Sequence, residues 1–230
     1  VTVHDCIETD TSVTIVLEFV KGMHFKDLFQ KEALPQHELL GYIHQLLSAL
    51  EAVHEAGIIH RDVNPKNVLV TADGIVKLTD FGLAGSAGDA DHRAGGTLGY
   101  MAPESLRKGG KIGFGVDVYA VGFLSYQALL GGPDFQKLYG TTRPIEWARW
   151  LLSREKFKTL SELGKPVAPG LSAIVERMLE KDLKDRYGKI ADVRRDLDRL
   201  TGHAPSAPTA GPSFAAGVRQ AGLQVEFGET

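Results

Sequence analysis

The chain has 230 residues, 43% apolar and 24% charged, with a formal net charge of −3. That is enough length for one well-buried domain, and the near-neutral balance gives no electrostatic support to a nucleic-acid or anionic-membrane partner. Its single cysteine, Cys6, excludes an internal disulfide, and no apolar run of about eighteen residues offers a membrane span.

Val1 to Glu8 and Val13 to Phe19 are β-branched, apolar-rich runs separated by Thr9-Asp10-Thr11-Ser12, which predicts two antiparallel strands and a polar turn. After Leu34-Pro35, the residues Leu39, Leu40, Ile43, Leu46, Leu47, Leu50 and Val53 share one stripe. The spacing predicts a buried amphipathic helix ending near Gly57, with Pro35 tolerated at its first turn. Val68-Leu69-Val70 and Val76-Lys77-Leu78 flank Thr71-Ala72-Asp73-Gly74, whose Asp-Gly step signals a hairpin. Asp117 to Leu130 is nearly all apolar and stops at Gly131-Gly132-Pro133, so it reads as a helix at a domain centre. Further helical patterns cover roughly Pro144 to Phe157, Leu171 to Lys181 and Ile190 to Leu200. Residues 201–230 are rich in Pro, Ala and Gly and read as a linker, while a weak alternation at Val225 and Phe227 leaves room for the start of a further domain. No internal repeat is visible.

The chemistry concentrates in His60-Arg61-Asp62-Val63-Asn64-Pro65-Lys66-Asn67 and in Asp80-Phe81-Gly82. Asn67 and Asp80 fall at the two ends of the predicted hairpin, which turns them to one cleft. An acid held in a rigid loop, here Asp62, can accept and orient a hydroxyl that attacks a phosphate. Asn67 and Asp80 offer the oxygen ligands that Mg²⁺ prefers. The eight histidines are scattered and lack both Cys partners and the paired spacing of a zinc helix, so they read as solvated or core residues.

With Ala102-Pro103-Glu104 downstream, these motifs make the chain resemble the eukaryotic-type (Hanks-type) serine/threonine protein kinases, bacterial ones above all, from Val1 to about Leu200. The resemblance implies an α+β protein-kinase-like fold, with residues 1–20 as the end of the small lobe and the hinge, 21–200 as the helical large lobe, and 201–230 as the linker. It implies ATP and Mg²⁺ as cofactors, proteins carrying Ser or Thr as substrates, and a cytoplasmic location. Asp62 would orient the acceptor hydroxyl, Asn67 and Asp80 would hold Mg²⁺, and the Thr97 hydroxyl would bond Asp62 in the substrate-docking loop. The base would meet Leu17, the Glu18 carbonyl, the Val20 amide and Leu69. Glu104 would pair with Arg186, Asp117 would accept backbone bonds from the catalytic loop, and His60 and Phe81 would pack between the lobes. Arg61 would hold an anion of the following loop, either phosphorylated Ser86 or Asp89 and Asp91, while Gly85, Gly88, Gly95 and Gly96 equally suit a flexible, solvated loop with no such anchor.

Two departures qualify that reading. No glycine-rich loop, strand lysine or paired helix glutamate precedes His60, so the chain reads as a fragment cut inside the small lobe, with little or no activity by itself. Asn64 stands where the family usually carries Lys, bringing dipoles without net charge and predicting a slower chemical step, while Lys66 reads as a surface residue. A pseudokinase-like binding or regulatory module is the competing reading. A small-molecule phosphotransferase is disfavoured by Ala102-Pro103-Glu104 and Thr97.

Overall fold

The computed structural model describes residues 1–9, 11–86, 97–107, 109–110, 112–140 and 143–202. The expected first hairpin forms from β1 (Val3–Thr9) and β2 (Ser12–Leu17), antiparallel from Thr9 opposite Ser12 to Val3 opposite Leu17. The polar turn is closed by the Ser12 amide donating to Thr9 Oγ1 at 3.1 Å.

A second sheet has the order β3-β5-β6, all antiparallel, from β3 (Gly22–His24), β5 (Val68–Thr71) and β6 (Val76–Leu78). The Asp73-Gly74 signal is realised with Gly74 at φ 78°, a left-handed conformation that glycine adopts without a Cβ penalty. Thr71 and Ile75 close the loop around it through the Thr71 N–H, 3.0 Å from the Ile75 carbonyl.

A short α1 (Phe25–Leu28) leads to α2 (Gln36–Glu55), which buries Leu39, Ile43, Leu46, Leu47, Leu50 and Val53; Leu40, expected on the same stripe, is only partly covered. The Asp117 to Leu130 pattern is α3 (Gly115–Leu130), and all 16 of its residues are buried. Such a helix has no solvent face to satisfy, which is why its sequence lacks an amphipathic stripe. Gly122 permits the crossing of α3 with α6 (Pro169–Met178), since a Cβ there would stand 2.6 Å from Met178 Cβ.

The remaining helices are α4 (Gly132–Tyr139), α5 (Pro144–Leu152) and α7 (Ile190–Thr201). The sequence pattern placed a boundary where α4 begins, because Gly131-Gly132-Pro133 reads as a stop, whereas Pro133 sits in the first turn of that helix. Helix α5 ends at Leu152 rather than at Phe157. Ser153 turns extended there, and its hydroxyl donates to the Trp150 carbonyl at 2.8 Å. The chain past this turn returns Phe157 to an aromatic cluster, 5.4 Å from Phe123 and 4.4 Å from Trp150 between ring centroids. The molecule is thus a mixed α+β fold in which α2, α4 and α6 pack on α3 and α7 packs on α2 and α6, with the small antiparallel sheets drawn from residues 3–86.

Candidate active site

The loop from His60 to Asn67 is fixed at both ends. Before it, β4 (Ile58–Ile59) pairs with β7 (Gly85–Ser86), so the strand leading into the loop is tied to the segment just after Asp80-Phe81-Gly82. After it, the Thr79 amide donates to the Asn67 carbonyl at 2.9 Å. Outside contacts brace the middle, with His24 Nδ1 2.7 Å from the Lys66 carbonyl and the Lys26 amide donating to the Pro65 carbonyl at 3.3 Å.

Asp117, in the first turn of α3 and fully buried, organises the entry of the loop. Its Oδ2 accepts the His60 N–H and its Oδ1 the Arg61 N–H, both at 2.9 Å, as the resemblance implied. His54 Nε2 also lies 2.8 Å from Oδ2, a contact that nothing in the local sequence signals. These bonds hold Arg61 at φ 66°, and Asp80 sits at φ 63°. Left-handed conformations at non-glycine residues cost on the order of 1–3 kcal/mol and persist only where surroundings over-determine them.

His60 is buried and its ring packs 4.6 Å from that of Phe81. Nε2 lies 3.2 Å from the Thr79 carbonyl, and Nδ1 accepts the Asp62 N–H at 3.4 Å. Only a neutral ring protonated on Nε2 serves both. Burial pushes its pKa below the usual 6.5, against the opposing pull of Asp117. The unfolded chain therefore binds a proton that the folded one refuses, so this histidine's contribution is present above pH 6.5 and is lost as pH falls below it. Melting temperature followed from pH 7 to 5 is expected to fall more steeply for the wild type than for His60→Gln; equal slopes would contradict this.

Asp62 is held through both carboxylate oxygens. Oδ2 accepts from Asn67 Nδ2 at 2.9 Å, and Oδ1 accepts the backbone N–H of Thr97 at 2.9 Å. Asn67 Nδ2 also bonds the Asp62 carbonyl at 2.9 Å. The Thr97 hydroxyl was expected on Asp62, and here the structure corrects the reading: the hydroxyl accepts from Asn64 Nδ2 at 3.3 Å, and the amide takes its place on the carboxylate. Asn64, Asn67, Asp62 and Thr97 thus form one network. Asp80 stands exposed at the far end of the hairpin, its Oδ1 accepting the Gly82 amide at 3.3 Å.

Of the residues expected around a nucleotide base, Leu17 and Glu18 are placed by β2 and Leu69 by β5. Leu17 ends β2, and the following Glu18 forms an ion pair with Lys77 at 3.0 Å, which holds its carboxyl below the usual carboxylate range. Lys77 is the register partner of Leu69, so the pair docks the Leu17 to Val20 segment against the β5–β6 hairpin. Sequence reasoning missed this contact because a pair so far apart in the chain leaves no periodic signal.

Glu104 and Arg186 pair in the core, with contacts of 2.7 and 3.0 Å between the two forks. The Arg61 guanidinium lies against the Gly85 backbone, where a Cβ would meet Nη2 at 2.6 Å, and this places it beside Ser86. Asp89 and Asp91, the other anions considered for Arg61, lie outside the described residues, as do 203–230 of the expected linker.

A family model described as protein kinase domain matches residues 1–196. The chain belongs to the protein kinase family. Among curated proteins, this kinase domain is 31% identical over 204 residues to the probable serine/threonine-protein kinase PknB of Lactococcus lactis, covering 86% of this chain and 32% of that protein. It is 32% identical over 219 residues to the serine/threonine-protein kinase PknB of Mycobacterium leprae, covering 90% and 34%. A probable serine/threonine-protein kinase of Streptomyces coelicolor is 34% identical over 222 residues, covering 93% and 32%. These relatives place the kinase domain among the eukaryotic-type kinases of bacteria, and the chain spans about a third of their length. Among the described residues, no helix is long and apolar enough to cross a membrane.

Proposed function

We propose that this kinase domain transfers the γ-phosphate of ATP to Ser and Thr hydroxyls of proteins, in the cytoplasm where ATP is supplied. The observation that carries the proposal is the pinning of Asp62, whose two carboxylate oxygens are fixed by Thr97 and Asn67. Each oxygen keeps lone-pair capacity, so the carboxylate can accept the proton of an incoming hydroxyl in one set orientation.

The donor set fits a hard cation. Asn67 turns its Nδ2 to Asp62, which leaves the carbonyl Oδ1 as its ligating atom, and Asp80 offers an exposed carboxylate. Among the described residues no group of three or more His, Cys, Asp or Glu forms a protein-only cage. That suits Mg²⁺, which takes its remaining ligands from phosphates and water. Bound Mg²⁺–ATP would supply the phosphoryl group and neutralise charge on its oxygens. Leu17, the Glu18 carbonyl, the Val20 amide and Leu69 would hold the base between residues 1–20 as the end of a small lobe and 21–200 as a large lobe. Thr97 would dock the acceptor segment.

A pseudokinase-like binding role is the second reading, favoured by Asn64, whose amide serves the loop and offers the cleft no cation. Transfer of labelled phosphate from Mg²⁺–ATP to a generic Ser/Thr protein by the natural full-length protein separates the two. Transfer that Asp62→Asn lowers about 10²- to 10⁴-fold, and that chelation of Mg²⁺ abolishes, is the expected result. No transfer by a folded wild type would leave the binding module as the better account.

A further inference from the structure

We propose that Asn64 is a positioning residue, a neutral clamp that locks Thr97 onto the catalytic loop and thereby sets the rotation of the Asp62 carboxylate. This rests on the phosphotransfer reading of the site. Asn64 is 2% exposed, and its amide is fully engaged. One Nδ2 hydrogen goes to the Asp62 carbonyl at 3.2 Å and the other to the Thr97 hydroxyl at 3.3 Å, while Oδ1 accepts the Lys66 N–H at 2.9 Å. An amide has two donor hydrogens, so none remains to point into the cleft.

The geometry closes a ring. Asn64 grips Thr97 by its hydroxyl, and Thr97 presents its N–H to Asp62 Oδ1 at 2.9 Å. Asn67 fixes the opposite oxygen from inside the loop. Thr97, by contrast, arrives from a segment 35 positions away and is itself exposed; its carbonyl accepts the Tyr100 N–H at 2.8 Å, which ties it to the turn that follows but leaves its attachment to the catalytic loop to the N–H and the hydroxyl. Asn64 does this without charge. A positioned dipole can fix geometry as well as an ammonium can, although it brings no net charge to a phosphate. The Asn in this position therefore moves the residue's task from the phosphate to the substrate side of the site.

Amide hydrogen exchange of residues 97–101 reads the clamp independently of catalysis, in wild type, Asn64→Ala, Thr97→Val and the double variant. Each single change is expected to speed exchange about 3- to 10-fold, the range of one hydrogen bond, and the double variant should add little more. Unchanged exchange in both single variants, or effects that multiply, would overturn the proposal. Thr97→Val removes only an exposed hydroxyl and leaves the core intact, so it keeps the test open if Asn64→Ala folds poorly. In the natural full-length protein, both single variants are expected to lower kcat/KM for a Ser/Thr protein by similar, non-multiplying factors, with KM for ATP unmoved. A rise in KM for ATP confined to Asn64→Ala would put Asn64 on the phosphates and sink the clamp. If the wild type transfers no phosphate, the functional reading fails while the exchange result still decides the clamp.

Discussion

Glu104→Ala is expected to destabilise the fold by about 3–5 kcal/mol, lowering the melting temperature by roughly 6–20 °C. Arg186 is 3% exposed, and Glu104 neutralises it through two parallel contacts. Its other hydrogen bonds go to carbonyls, that of Gly115 at 2.9 Å and that of Glu180 at 2.7 Å, and its guanidinium lies 5.0 Å from the Tyr119 ring centroid. Carbonyl dipoles satisfy the guanidinium hydrogens without balancing the charge, so removal of Glu104 leaves a cation stranded in low dielectric. The control is the double change Glu104→Leu with Arg186→Met. Removing both charges together is expected to recover most of the loss, because a buried pair gains little over apolar residues of similar volume. Chemical denaturation of the three variants checks both statements. A Glu104→Ala protein within about 1 kcal/mol of wild type would contradict the first.

Asp117→Ala is expected to damage both stability and transfer. The change strips acceptors from the buried His60 amide and from the partly buried Arg61 amide and His54 ring, around a carboxylate that is itself fully buried. An orphaned buried group costs about 1–3 kcal/mol and the partly buried ones less, so a loss of about 2–4 kcal/mol follows. The catalytic consequence is indirect. Asp117 holds Arg61 in its left-handed conformation, and without it the backbone is free to relax and swing Asp62 out of line with Thr97. A misplacement on the order of 1 Å suffices for a rate loss of about 100-fold. Asp117→Asn keeps one acceptor but turns an NH₂ against a backbone N–H, so it should fall between wild type and alanine. Denaturation midpoints and kcat measured on the same preparations test this, and a stable Asp117→Ala protein with full kcat would refute it.

What the sequence made legible was local or borrowed from resemblance. The stripe on α2, the apolar run of α3 and the hairpin around Gly74 follow from periodicity and turn chemistry. The Glu104–Arg186 pair and the Asp117 bonds came from the family likeness, since contacts spanning 82 and 57 positions leave no periodic trace. The illegible parts have physical reasons. Gly85 and Ser86 have little strand propensity and join β4 only because the loops on either side bring them together. Helix α4 hides behind a Gly-Gly-Pro step that serves as its start. At Thr97 the sequence pointed to the hydroxyl as the group on Asp62, whereas the bond is made by the backbone N–H, and a main-chain donor leaves no trace in residue identity.

The pairing of Glu104 with Arg186 also bears on how the chain is made. A ribosome extrudes Glu104 well before its partner, and at about 5–20 residues per second the 82 intervening positions take roughly 4–16 s. During that interval the Pro103–Leu106 turn has no counter-ion to seat against, and Gly115, whose carbonyl shares the same guanidinium, waits as well. The segment that presents Thr97 to Asp62 is consequently among the last parts of the site to set, and the network around Asp62 is complete only after the chain beyond α6 has emerged.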